Sequence, residues 1–401
     1  MSHLEDLTTQ CIRCGFCLED CPTFTQTGNE LDSPRGRIYL VRSVIDGKLT
    51  WDDAKPHLDK CLGCRACETA CPSGVHYGQI LEIARDQIGA SLLQKAFLTG
   101  TTNPLILKTQ LAAAKFLPGA RMPNVMSQIL SGSDAEVDLP KPQKQATFPE
   151  LPKIDLKGEV YMLQGCAMQV LFPRVHQCTQ RLLHRVGFQI KPAHQGCCGA
   201  LHAHNGQLDE ARKLATSLIK SMPGDSPIIV NSAGCGSTMK EYGHLLGTSE
   251  AEQFANRVVD LSEFLLTEDL PKLLAQHTKL KGKRITYHDA CHLSHGQRIT
   301  SQPRQLIAAI PGIEFVELEE SMVCCGSAGI YNVMQPDMAR QLLDRKTSHI
   351  QETKADIVAT GNPGCHAWIA QGCRERGISR TLHTAELLEA SFVGLEPFIE
   401  H

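Results

Sequence analysis

Aromatic residues are scarce, 5% of 401, so the sequence offers few platforms on which nucleobases stack. Net charge is small as well. Forty Lys and Arg against 43 Asp and Glu leave −3, without the basic footprint that nucleic-acid binding needs. No run of about eighteen apolar residues occurs, the length a membrane-spanning helix requires. Met1–Gln10 is polar and lacks the apolar core of a secretion signal. The expected location is therefore cytoplasmic, either free or peripheral on the inner face of the cytoplasmic membrane. No G-x-G-x-x-G follows a strand, which excludes a dinucleotide site of that type. No nucleophile or acid–base constellation stands out, so no catalytic residue is assigned.

Cysteine is abundant instead, with eighteen copies. In a reducing compartment disulfides rarely persist, and such cysteine points to metal or redox chemistry. Cys11, Cys14, Cys17 and Cys21, followed by Pro22, form one C-x2-C-x2-C-x3-C-P run. Cys61, Cys64, Cys67 and Cys71, followed by Pro72, form a second. This is the spacing of two-cluster ferredoxins. Three closely spaced cysteines wrap one cube, and the fourth points away to the partner cube. The expected ligands are Cys11, Cys14, Cys17 and Cys71 for one [4Fe–4S] cluster. Cys61, Cys64, Cys67 and Cys21 are expected to hold the other. Zinc sites usually show two C-x2-C pairs rather than two four-cysteine runs.

Between the runs, Ser33 and Pro34 predict the start of a helix, as N-cap and first-turn residue. Arg35, Arg37 and Arg42 follow on it. A cation beside a cluster favours its more negative, reduced state. Arg35 and Arg37 are thus candidates for tuning a potential, the plain alternative being a solvated helix face.

No Asp or Glu occurs from Gln87 to Ser133, where Lys95, Lys108, Lys115 and Arg121 stand among apolar residues. Ser91–Leu98 and Pro104–Leu117 read as helices, the second stopped by Pro118-Gly119. They either pack on a partner or on the C-terminal core, or lie on an anionic membrane surface. Residues 133–153, with Pro140, Pro142, Pro149 and Pro152, read as a linker.

The second half repeats itself. Cys166 recurs at Cys291, Cys197-Cys198-Gly199 at Cys324-Cys325-Gly326, and Cys235 at Cys365. Strands are predicted at Val160–Leu163, Ile228–Val230, Ile285–Tyr287, Phe315–Leu318 and Ile357–Ala359. Helical patterns such as Glu210–Met222 and Asp337–Ile350 lie between them. Strands alternating with helices imply parallel sheets, whose ligands bind beyond the carboxyl ends of the strands. The cysteines fall there. Adjacent thiolates diverge and suit a multi-iron cluster better than one zinc ion, a vicinal disulfide being the alternative. Cys178 and Cys373 are left over as core residues. His194, His288 and His292 stand near the cysteines, as ligands, proton carriers or core histidines.

The expected architecture is α/β overall. Residues 1–90 form a helical two-cluster ferredoxin-type domain, and 91–153 a helical segment with linker. Residues 154–275 and 276–401 form two α/β repeats with parallel sheets.

A twin-cluster domain followed by two C-C-G repeats resembles the CCG-domain electron-transfer family. That family includes the iron–sulfur subunits of bacterial glycolate oxidase (glycolate dehydrogenase) and the catalytic subunit of heterodisulfide reductase. The stretches Glu30–Leu40, Cys67–Val75, Gly196–Ala200, Lys240–Gly243 and Cys324–Gly329 carry the resemblance. It implies a subunit that takes electrons from an FAD-containing partner oxidising a 2-hydroxy acid. It further implies delivery to a quinone or another membrane acceptor. Related subunits serve lactate and glycerol 3-phosphate oxidation. The heterodisulfide reductase pattern closes each repeat with C-x-x-C, whereas Cys235 and Cys365 stand alone. By resemblance, Cys166, Cys197, Cys198 and Cys235 are candidate ligands in the first repeat. Cys291, Cys324, Cys325 and Cys365 are their counterparts in the second. One or two further iron–sulfur clusters are expected there, according to whether one repeat or both are metallated.

Overall fold

The computed structural model describes residues 2–114, 127–129, 132, 137–138 and 141–399. The expected helix end at Leu117, the Pro118-Gly119 stop, Lys115 and Arg121 lie outside the described residues.

Two four-stranded parallel sheets carry the second half of the chain. Strands β1 (Gly158–Met162), β2 (Phe188–Ile190), β3 (Ile228–Val230) and β4 (Val258–Asp260) line up as β2-β1-β3-β4. Strands β5 (Arg284–His288), β6 (Glu314–Phe315), β7 (Ile357–Thr360) and β8 (Arg380–His383) repeat that order as β6-β5-β7-β8. The internal repeat seen in the cysteines is thus a repeat of whole sheets. Strands β3 and β7 are wholly buried. Apolar runs like Ile228–Val230 suit a central strand covered on both faces.

The strand expected at Phe315–Leu318 is a correction. Register pairing with β5 covers Glu314 and Phe315, the Val316 amide adds a last bond to the Ile285 carbonyl, and the chain then leaves the sheet edge towards Cys324. Three strands that carry no apolar run were missed: β2, β4 and β8. They are short, and β2 and β4 are half-exposed at one or more positions, so no period develops.

In this strand order the chain leaves β1 towards β2 and returns across it to β3. The crevice of an open parallel sheet opens where the direction switches. Cys166 follows β1 and Cys235 follows β3, so they flank that point; Cys291 and Cys365 do so after β5 and β7.

The two repeats pack reciprocally, as in a pseudo-dimer. The helix Pro173–Arg185 after β1 packs on Thr384–Val393 after β8. Its counterpart Ser301–Ala308 after β5 packs on Leu261–Thr267 after β4. Val175, Leu182, Leu265, Leu306, Leu387 and Leu388 close one shared core. The seam also buries charge. Arg174 Nε meets Glu386 at 2.7 Å, and Arg181 and Arg185 both meet Glu389.

The N-terminal domain is helical. Ser33 caps Pro34–Ile45 as expected, accepting from the Gly36 amide. A Thr50/Asp53 capping box starts Trp51–Asp59. Leu4, Ile38, Val41, Leu58, Ile80 and Leu81 form its core. Arg85, on the helix Tyr77–Ile88, locks this domain to the repeats. It donates to the Leu58 and Cys61 carbonyls and to the His204 carbonyl at 2.8 Å. Tyr331 Oη donates to the Lys60 carbonyl at 2.8 Å. The helices Leu92–Thr102 and Pro104–Ala114 follow, the first capped by Ser91. Residues 141–157 carry neither helix nor strand, yet Gln143 and Phe148 are held against both repeats.

Candidate metal centres

Each N-terminal run winds a tight loop, and backbone dihedrals show how. The residues on either side of the second cysteine are left-handed in both runs: Arg13 (φ 59) and Gly15 (φ 90), Gly63 (φ 64) and Arg65 (φ 64). This conformation is costly for a side-chain-bearing residue. Each run supplies one glycine and one arginine, and the arginine is tied down. Arg13 lies over the Tyr39 ring, and Arg65 pairs with Glu68 and Glu241. The winding brings the three thiols of each run together.

Cys11, Cys14, Cys17 and Cys71 line one small pocket with Ile38, Val75 and Tyr77. Cys14 is exposed, and Ile12 and Phe16 beside it are 68% and 69% exposed. Burial pushes the Cys17 thiol up to about 11, partly offset by the Arg35 backbone amide. Cys21, Cys61, Cys64 and Cys67 lie together and buried, Cys67 also bordering that pocket. Arg37 is 1% exposed among them. Its guanidinium donates to the His57 carbonyl, to Thr23 Oγ1 and, at 3.9 Å, towards Cys21 Sγ. Tyr77 Oη and the Gly63 amide donate to Cys61 Sγ at 3.5 and 3.4 Å. Donors aimed at thiolate sulfur fit a charged cluster and shift its potential. Arg35 differs: it is partly exposed and paired with Glu30 at 2.6 Å. Arg42 pairs with Glu5 and Asp46, away from both sets.

In the first repeat, thiol contacts run from Cys166 to Cys197, to Cys198, to Cys235. The second repeats the series from Cys291 to Cys324, to Cys325, to Cys365. The glycine of each C-C-G makes the turn possible. Gly199 (φ 81) and Gly326 (φ 90) are left-handed, and a Cβ there would sit 3.0 Å from the Ala211 carbonyl and 2.6 Å from that of Ala339. Only glycine lets the cysteine pair lie against the following helix. No disulfide joins any of the eighteen cysteines. Cys178 and Cys373 sit in the core, 0% and 1% exposed.

The three regions converge. A cavity of 1510 Å3 is bordered by Cys61, Cys166, Cys197, Cys235, Cys291 and Cys324, and by Leu93, Phe97, Phe172 and Trp368. Cys64 lies close enough to Cys291 and Cys324 that the thiolates repel one another. His292 accompanies them, its Nε2 3.1 Å from the Gly63 carbonyl. His194 stands exposed on its loop. His288 is wholly buried against Cys325 and Cys365, and burial holds its imidazole neutral.

Lys346 is a buried charge beside the second cysteine pair that the sequence did not disclose. It is 2% exposed and donates to the Glu320 carbonyl. Burial lowers it to about 8, against the opposing pull of the Cys325 and Cys324 thiolates. Its signal was an interruption of an apolar stripe, Leu342, Leu343, Lys346, Ile350, at helical spacing.

Among the described residues no helix is long and apolar enough to cross a membrane. Exposed apolar residues do occur on the helices after the first domain: Leu92 (85%), Leu93 (52%) and Leu105 (72%).

Residues 8–75 match the 4Fe-4S dicluster domain, and residues 160–240 and 285–370 match the cysteine-rich domain. The chain is 36% identical to a probable glycolate oxidase iron-sulfur subunit of Bacillus subtilis, over 94% of this chain and 92% of that one. It is 33% identical to the glycolate oxidase iron-sulfur subunit of Escherichia coli, over 96% and 94%. Lactate utilization protein A of Oceanobacillus iheyensis is 31% identical over 57% of this chain and 96% of its own. Two [4Fe–4S] clusters belong to the N-terminal domain, and a partner catalytic subunit is implied. The chain belongs to the family of glycolate oxidase iron–sulfur subunits, electron-transfer chains of an oxidoreductase complex.

Proposed function

We propose that this chain serves a complex that oxidises glycolate or a similar 2-hydroxy acid. An FAD-containing partner would supply the electrons, and a quinone or another membrane acceptor would receive them. Cys11, Cys14, Cys17 and Cys71 would hold one cluster, and Cys21, Cys61, Cys64 and Cys67 the second. Cys166, Cys197, Cys198 and Cys235 would hold a third centre, and Cys291, Cys324, Cys325 and Cys365 a fourth. Bound clusters supply one-electron transfer; the protein's part is to hold donor sets in an unbroken row.

The observation that carries this reading is the row itself. It runs from exposed Cys14, through buried Cys64, to Cys291 and Cys324. Arg37 would raise the potential of the buried N-terminal set. Arg35, nearer the surface, would act more weakly through its Cys17-directed amide. Leu92, Leu93 and Leu105, with exposed Lys95 and Lys108, would rest on an anionic membrane surface.

The test is Cys14→Ser in the intact complex. Quinone reduction should fall to background, while 2-hydroxy acid oxidation with a dye accepting directly from the flavin subunit survives. Quinone reduction at the wild-type rate would sink the proposal. A second reading, substrate chemistry at a C-C-G centre as in heterodisulfide reduction, is favoured by the large cavity beside both cysteine sets. It predicts disulfide reduction by the chemically reduced complex.

A further inference from the structure

The two repeats place different residues at the same point beside their cysteines. Three residues before Cys291, at the end of β5, stands His288; three before Cys166 stands Leu163. Both are buried, at 0% and 2% exposure. Leu163 belongs to an apolar cluster of its repeat. His288 has no such justification, because neither ring nitrogen makes a hydrogen bond of good geometry. Buried imidazole nitrogens are normally paired or bound to metal. One His288 nitrogen, Cys325 Sγ and Cys365 Sγ all lie within 4.8 Å of one another. The backbone carbonyl of Ser321 is close enough to favour a ring N–H weakly, although it accepts from the Asp289 amide at 3.1 Å. A metal-bound histidine commonly turns its second nitrogen to such a carbonyl.

We infer that His288 is an iron ligand in the second repeat, binding the same centre as Cys325 and Cys365. The inference rests on the reading of this repeat as an iron–sulfur centre. The first repeat, with Leu163, has sulfur donors alone at the corresponding place. Imidazole is neutral where thiolate is negative, so a nitrogen-ligated centre carries less negative charge and accepts an electron more readily. The second repeat is thereby the more oxidising of the two.

The test is pulsed EPR on the anaerobic complex, with natural-abundance and with 15N-labelled histidine. One cluster signal should show a coupling of the size of directly bound nitrogen, converted to the 15N pattern by the label. It should vanish in His288→Cys, which keeps a donor but removes nitrogen, and the midpoint potential of that centre should fall. The coupling should persist in His292→Leu. Absence of histidine nitrogen coupling in the labelled wild type, or its survival in His288→Cys, overturns the inference. Iron analysis of Cys325→Ser separates the two levels. Unchanged iron would refute a cluster in this repeat altogether, whereas lost iron without nitrogen coupling would refute only the ligand.

Discussion

The two C-C-G repeats share strand order, cysteine order and the pinched glycine, yet they treat charge in opposite ways. Around Cys197 and Cys198 the positions that differ between the repeats are uncharged, although buried His202 stands near Cys197. Leu163 and Leu218 are apolar and buried, and Tyr242 donates to the Cys198 carbonyl at 2.6 Å. Around Cys324 and Cys325 the equivalent positions are polar. His288 replaces Leu163, and Lys346, seven residues beyond Ala339, replaces Leu218, seven beyond Ala211. Exposed Gln164 becomes Asp289, buried against Arg304 at 2.7 Å. An isolated buried ammonium is expensive unless a counter-charge stands beside it. The second repeat is therefore built around negative charge, and it is the one that touches Cys64. Duplication produced two sheets, and divergence at a few buried positions gave them different electrostatics.

The sharpest way to break this comparison is to remove one cysteine from each repeat. Cys325→Ser and Cys198→Ser should each cost about four irons per chain, read by iron and sulfide analysis with EPR. Loss in one variant alone would show that only that repeat is metallated.

The next effect is on stability. Leu218→Lys imports the second repeat's charge into the apolar core of the first and should cost more than about 3 kcal/mol. Lys346→Leu should cost far less in denaturant titration. Its signature is instead a lower midpoint potential of the neighbouring centre. Equal destabilisation by both changes would refute the proposed asymmetry.

The capping boxes give a parallel test. Glu386 and Glu263 occupy the same third position after N-caps His383 and Asp260. Glu386 is fully buried against Arg174, while Glu263 is part-exposed with Lys240. Glu386→Ala should cost about 3–5 kcal/mol, because it removes the carboxylate that faces the buried Arg174 guanidinium. Glu263→Ala should cost about 1 kcal/mol, from the cap and a surface pair. The smallest expected change is Tyr242→Phe. It removes one buried donor, about 1 kcal/mol, and should leave iron content unaltered.

Much of this was legible in the residues because spacing transmits chemistry directly. Two C-x2-C-x2-C-x3-C-P runs dictate two loops whatever surrounds them, and Ser33-Pro34 starts its helix by local hydrogen bonding alone. The central strands were readable because burial on both faces demands apolar runs. Strands β2, β4 and β8 were not, since three or four residues at a sheet margin leave no period to detect. The β6 boundary was misplaced because Val316 and Leu318 alternate with exposed Glu317 as in a strand, whereas Leu318 is buried in a core cluster outside the ladder.

What the amino-acid sequence determined by itself was the inventory of candidate donors: sixteen cysteines in four sets, two left for the core, and a duplicated α/β half. Those are properties of local spacing and of repetition, which no long-range contact can alter. Only the tertiary structure decided which sets are neighbours. Cys64 meets Cys291 across 227 positions of chain because Arg85, Tyr331 and Arg65 clamp the helical domain onto the repeats. Lys346 and His288 acquire their meaning in the same way. A lysine and a histidine are ordinary in sequence, and become notable only when packing withdraws them from water and sets them beside thiolate sulfur.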